Sequence, residues 1–191
     1  MGKAEENKQH KRLSLLNTAF ELFTTKGVNK TSISEISEQA GIAKGTFYLY
    51  FKDKYDIRNK LISHQSSLVL SKALDSLRNE HYEDKYSGLE YFKNTFIFIA
   101  DNVINQFTEN KSLLTFISKN LSWAIFKKAL TAGSADESID FRDTYYSLIE
   151  RSGVNFKEPE IMLFMIIELI SSISYLSLIH ISEPTRPEPI S

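Results

Sequence analysis

Only one proline, Pro159, stands before position 184 in this 191-residue chain; the other three, Pro184, Pro187 and Pro189, crowd into its last eight residues. Almost nothing in the body of the chain breaks a helix, and the apolar residues recur at three- and four-residue spacing. An all-α fold follows. Leu15, Leu16, Ala19, Phe20 and Phe23 predict a first helix over about 8–26, closed by Gly27 as a left-handed cap. Ser32-Ile33-Ser34-Glu35 has the form of a capping box, opening a second helix with Ile33, Ile36 and Ala40 inward. Gly41 stops that helix. A third is predicted from Ala43 or Lys44, with Phe47, Tyr50 and Phe51 turned to the core. These elements define a three-helix domain over 1–51.

Beyond Lys54 the segments lengthen. Ile57, Leu61, Leu68, Leu74 and Leu77 predict one amphipathic helix, and Leu89, Phe92, Phe96, Ile99, Val103 and Phe107 another. Shorter helices are expected at 113–119, 121–130 and 138–151, with a break at 133–137, and a last one opens on Pro159. Together they make a six-helix bundle domain over 52–180. The tail 181–191 cannot continue a helix through three prolines, so it is expected to be without regular structure. From Ser177 its string also resembles a translated sequencing adapter, which makes a non-native origin an alternative to a native terminus.

The chain has no cysteine, which excludes disulfides, thiolate metal sites and cysteine nucleophiles. It also shows no N-terminal apolar signal run, and the expected location is the cytoplasm. Residues 161–179 are apolar enough to be weighed as a membrane span. Glu168 lies inside them, four serines dilute them and no Lys/Arg cluster flanks them, so a helix buried between its own domain and a second subunit is the preferred reading. Charge is uneven: residues 1–60 carry eleven Lys/Arg against seven Asp/Glu, whereas 61–191 carry twelve against seventeen. Such an asymmetry points to an anionic partner for the first third.

Two short helices meeting at a glycine turn in that basic third make a helix-turn-helix, whose second helix can enter a major groove. The ungapped run Thr31 to Lys54, TSISEISEQAGIAKGTFYLYFKDK, resembles the DNA-binding signature of the TetR family of bacterial transcriptional regulators. The resemblance implies a homodimeric regulator, typically a repressor on a palindromic operator in double-stranded DNA. It also implies a variable C-terminal domain that takes a small effector. With Phe47, Tyr50 and Phe51 inward, Lys44, Gly45, Thr46, Tyr48 and Leu49 fall on or near the outward face. Lys44 suits a guanine edge or a phosphate, Thr46 a base edge or thymine methyl, and Gly45 close backbone approach. Thr31, Ser32, Tyr48 and Lys54 suit phosphates, and Lys8, Lys11 and Arg12 can clamp the backbone. Two positions depart from the family pattern: Ala43 stands where a capping serine or threonine is frequent, and Leu49 where histidine is frequent.

No enzyme is expected, since phosphate loop, nucleophile elbow and paired-histidine motifs are all missing. His10, His64, His81 and His180 share no ligand spacing, and neither metal nor cofactor is expected. Aromatic residues crowd the second domain; Phe96, Trp123 and Tyr145, with His64 on the connecting helix, are the candidates for a pocket taking a small apolar or aromatic effector. The segments 141–148 and 161–176 are expected to pair with their mates across a twofold axis, through Phe141, Tyr145, Leu148, Ile161, Phe164 and Ile167. A helical adaptor binding only protein is the alternative function, with an enzyme without DNA binding ranked behind it.

Overall fold

A computed structural model of the chain describes residues 2–80, 85–131 and 141–182, the side chains of 128–131, 141, 142 and 178–182 excepted. The expected break at 133–137, His81 and residues 183–191 of the tail lie outside the described residues, as do the side chains of Phe141 and His180. Among the described residues there are nine helices and no strand: α1 Lys3–Thr25, α2 Ile33–Gln39, α3 Lys44–Phe47, α4 Lys54–Arg78, α5 Gly88–Glu109, α6 Lys111–Asn120, α7 Trp123–Thr131, α8 Phe141–Ser152 and α9 Pro159–Ser182. Among the described residues five helices follow α4. The chain divides into two compact units, Met1–Ser66 and Ser67–Ser191.

In the first unit α1 starts about five residues before the expected position, because nothing from Lys3 to Lys8 opposes a helix. Leu15, Leu16, Ala19, Leu22 and Phe23 are its buried stripe. Gly27 and Gly41 both hold positive φ, 83° and 67°, at the ends of α1 and α2, where a side chain would be strained. Ser14 Oγ donates to the Ala40 carbonyl at 3.2 Å, joining α1 to the end of α2. The first unit extends past residue 51 into α4, since Ile57, Leu61 and Ile62 are fully buried.

Two expected core positions face solvent instead. Leu68 and Leu89 are exposed, and their places are taken by Val69, Ala73 and Leu74 on α4 and by Tyr91, Phe92 and Thr95 on α5. The four-residue row Ile57–Leu61–Val69–Ala73 is the inward one, and Leu68 lies about 100° off it. The second unit packs two clusters: Ala73, Leu74, Tyr91, Phe92, Ile99 and Leu148, then Phe126, Tyr145 and Leu163, with Phe96 against both.

Helix α9 is the one helix among the described residues long and apolar enough to cross a membrane, with mean hydropathy 1.6 over Pro159–Ser177. Leu163 and Ser171 are nevertheless buried, and Met162, Phe164 and Ile167 pack on the second cluster. Protein, not lipid, thus occupies one side of it.

Candidate nucleic-acid interface

The site is built from the start of α2. Ser32 Oγ accepts the Glu35 amide at 3.1 Å while Glu35 Oε2 accepts the Ser32 amide at 2.9 Å, the reciprocal pair of a capping box. The other carboxylate oxygen takes Lys26 Nζ at 2.9 Å, joining the end of α1 to α2. The Lys26 ammonium first, then the Ser32 amide and hydroxyl, hold the Glu35 carboxyl down at about 2 against an ordinary 4.5. A depressed carboxylate stabilises the fold above its unfolded pKa and loses that contribution as pH falls through its folded one. Glu35 should thus contribute fully above pH 4.5 and fade towards pH 2. Ser32→Ala is expected to cost about 1 kcal/mol at neutral pH. Urea melts at pH 7 and pH 3 check both statements, because Glu35→Ala should narrow the gap between the two midpoints.

Gly41 turns the chain, and Ile42 donates its amide to Ser37 O at 2.9 Å before α3 begins. Ala43 brings no side-chain cap to α3, whose first turn is held by its backbone carbonyl alone, taking the Thr46 amide at 2.8 Å. Phe47 and Phe51 are buried with ring centroids 5.5 Å apart. Tyr50 is only half-buried. With that side locked, Lys44, Gly45, Tyr48 and Leu49 all stand exposed and Thr46 is half-buried.

An open concavity of about 570 Å³ gathers residues from three places: Asn29, Lys30, Thr31 and Ser32 before α2, Lys44 and Tyr48 on the recognition segment, and Asp53, Lys54 and Tyr55 at the start of α4. Three lysines against one aspartate make it cationic, a charge that suits a backbone phosphate. Five of the residues singled out by sequence meet here, while Gly45 and Leu49 lie on the exposed face outside it. Asn29, Lys30 and Tyr55 were missed. Lys30 was findable as the one cation in the linker between two helices; Asn29 and Tyr55 carried no such signal.

Two of the expected phosphate ligands are engaged elsewhere. Thr31 is buried and donates its hydroxyl to Gly27 O at 2.9 Å, so its side chain ties down the linker. Lys54 Nζ donates to Asn29 O at 3.1 Å and Thr31 O at 3.4 Å, bracing the same linker from α4, whose opening amides at Tyr55 and Asp56 bond Asp53 Oδ1. Tyr55 lies under both Lys54 and Arg58, at 5.6 and 5.4 Å from the ring centre.

In the second unit Phe96, Trp123 and Tyr145 do share one cluster. Trp123 stacks on Phe126 at 5.8 Å and meets Phe164 edge-on at 5.3 Å. Tyr145 is buried and donates its hydroxyl to Pro159 O at 2.7 Å, and Tyr146 donates to Glu160. Burial, then Glu160 and Tyr146, push the Tyr145 phenol well above its usual range. His64 falls in the first unit, half-buried. Of the expected interface residues whose side chains are described, Tyr145 and Leu148 are core, Phe164 and Ile167 pack against it, and Ile161 is exposed. The outward row is instead Ile161, Met165, Leu169, Ile173 and Leu176. Among the described residues no group of three or more His, Asp or Glu is placed to hold a metal ion.

Residues 15–61 match the model of the bacterial regulatory proteins of the tetR family. The fatty acid metabolism regulator protein of Bacillus subtilis (strain 168) is 24% identical over 149 residues, 72% of this chain and 77% of that one. The HTH-type transcriptional regulator AcrR of Shigella flexneri is 29% identical over 113 residues, 58% of this chain but only 47% of its own length. The solved structure of the fatty acid degradation regulator FadR from Bacillus halodurans superposes with a TM-score of 0.57 at 16% identity, covering 91% of this chain and 87% of that one. At that identity the likeness shows the fold alone.

Proposed function

Because the chain belongs, through residues 15–61, to the tetR family of bacterial regulatory proteins, we infer that it is a DNA-binding transcriptional regulator acting as a homodimeric repressor on a palindromic operator. The observation that carries this is the cationic concavity beside the exposed face of α3: Lys30, Lys44 and Lys54 flank one recognition segment. Phosphates sit in the concavity, and Lys44, Gly45, Thr46, Tyr48 and Leu49 meet base edges. Two copies present these faces about 34–36 Å apart, one turn of the duplex. The row Ile161, Met165, Leu169, Ile173 and Leu176 pairs with its mate across the twofold axis. The protein works in the cytoplasm.

The effector is apolar. Its site lies in the aromatic cluster of Phe96, Trp123, Phe126 and Phe164, and one relative above regulates fatty acid metabolism by name, which favours a lipophilic compound. Linkage requires that a compound weakening operator affinity tenfold bind the operator complex tenfold less tightly than free protein.

The test is operator binding across a salt series. Lys44→Ala is expected to lose about 1–3 kcal/mol and relax one base preference. Lys30→Ala should weaken all sequences alike and lower the salt slope by about 1. Lys54→Ala should weaken binding by releasing the linker. Unchanged affinity in all three would overturn the placement, and the absence of salt-dependent DNA retention would favour the protein-only adaptor.

A further inference from the structure

We propose that Leu49 makes operator recognition depend on the C5-methyl group of a pyrimidine in the major groove, an inference that rests on the DNA-binding reading above. Leu49 is 80% exposed, more than any other large apolar side chain among the described residues. A lone exposed leucine is ordinary on a protein surface. This one follows Tyr48, itself 52% exposed, lies one turn beyond Gly45, and points away from the buried rings of Phe47 and Phe51.

The chemistry of the face decides what it meets. Lys44, Thr46 and Tyr48 supply its hydrogen-bonding groups, whereas Leu49 has no donor or acceptor. Pressed against a phosphate or a polar base edge it would strip water from groups it cannot satisfy, which is unfavourable. The one apolar feature that a major groove offers is the methyl on C5 of thymine. A cytosine methylated at C5 offers the same group in the same place. Burying one methyl against Leu49 corresponds to about a fourfold change in affinity per half-site, about 0.8 kcal/mol.

The experiment starts from duplexes selected by the full chain out of a random pool. Each thymine of the selected operator is replaced in turn by uracil, which removes the methyl and keeps O4 and the pairing. Affinity for wild type and Leu49→Ala is then measured. Leu49 is outside the core, so the variant should melt at the wild-type midpoint, which checks its fold. The expected result is one thymine per half-site where uracil weakens wild type about fourfold and leaves Leu49→Ala unchanged. At that position, cytosine and 5-methylcytosine pairs with guanine separate the two sources: a gain on methylation in wild type alone supports the proposal and extends it to methylated cytosine, and no gain confines the methyl to thymine. No uracil-sensitive thymine, or a penalty that persists in Leu49→Ala and so belongs to a neighbour such as Thr46, overturns the proposal while leaving DNA binding intact. Failure of the chain to enrich any sequence overturns both.

Discussion

Phe47→Ala should unfold the recognition segment and abolish operator retention. The ring is fully buried, with Phe51 and Tyr48 each 5.5 Å from it, the latter edge-on. Emptying such a site costs about 3–5 kcal/mol, because the transfer energy of the ring is lost and a cavity remains. A small unit has little beyond that to lose. The same ring orients Tyr48, so even a surviving fold would present the face differently. The single tryptophan, Trp123, belongs to the second unit and reports on it separately. In urea, helical signal should fall at a lower concentration than in wild type while Trp123 fluorescence keeps its midpoint. One coincident transition at the wild-type midpoint, with DNA binding intact, would contradict the packing.

Two lysine substitutions two residues apart on α9, and so on opposite sides of it, should fail in opposite ways. Leu169→Lys places a charge in the middle of the outward row, where the fold tolerates it and a twofold partner does not. Leaving a charge buried and unpaired is worth about 3–5 kcal/mol, a weakening of self-association on the order of a hundredfold or more. Sedimentation should show a folded monomer. Ile167→Lys instead drives the charge into the cluster of Phe126, Tyr145 and Leu163, so it should destabilise the unit itself and give aggregate. If Leu169→Lys sediments as wild type does, the outward row is not the contact between copies.

What the sequence disclosed was whatever depends on neighbours along the chain. The Ser32–Glu35 box, the turn at Gly41 and the inward pair Phe47 and Phe51 are local patterns, and each is legible because three or four residues determine it. The cationic concavity was legible in part: the motif spacing located Ser32, Lys44 and Tyr48. Thr31 and Lys54 were placed on DNA because a hydroxyl and an ammonium can both bind phosphate. Their actual partners, the carbonyls of Gly27 and Asn29, are set by how the linker folds back, and no periodicity encodes that. On α9 the difficulty was of another kind. A helix apolar on nearly every side has no hydrophobic face to read, so Phe164 and Ile167 could not be told from Met165 and Leu169 until packing separated inner from outer. Leu68 and Leu89 misled for the reverse reason, as leucine is common on surfaces and the inward rows also carry the smaller Ala73 and the polar Thr95.

Gly45 shows what this architecture gives up. A methyl group built on it would have nothing within 4 Å, and its φ is an ordinary one, so neither crowding nor backbone shape demands glycine there. Alanine in a helix is favoured over glycine by up to about 1 kcal/mol. The chain thus forgoes thermal robustness within the four-residue helix α3, and a directed search for hardier variants would find this position early. If the proposed docking holds, every such success would put a methyl group between backbone and base edge. Selection for heat tolerance and selection for regulation pull in opposite directions at that one atom.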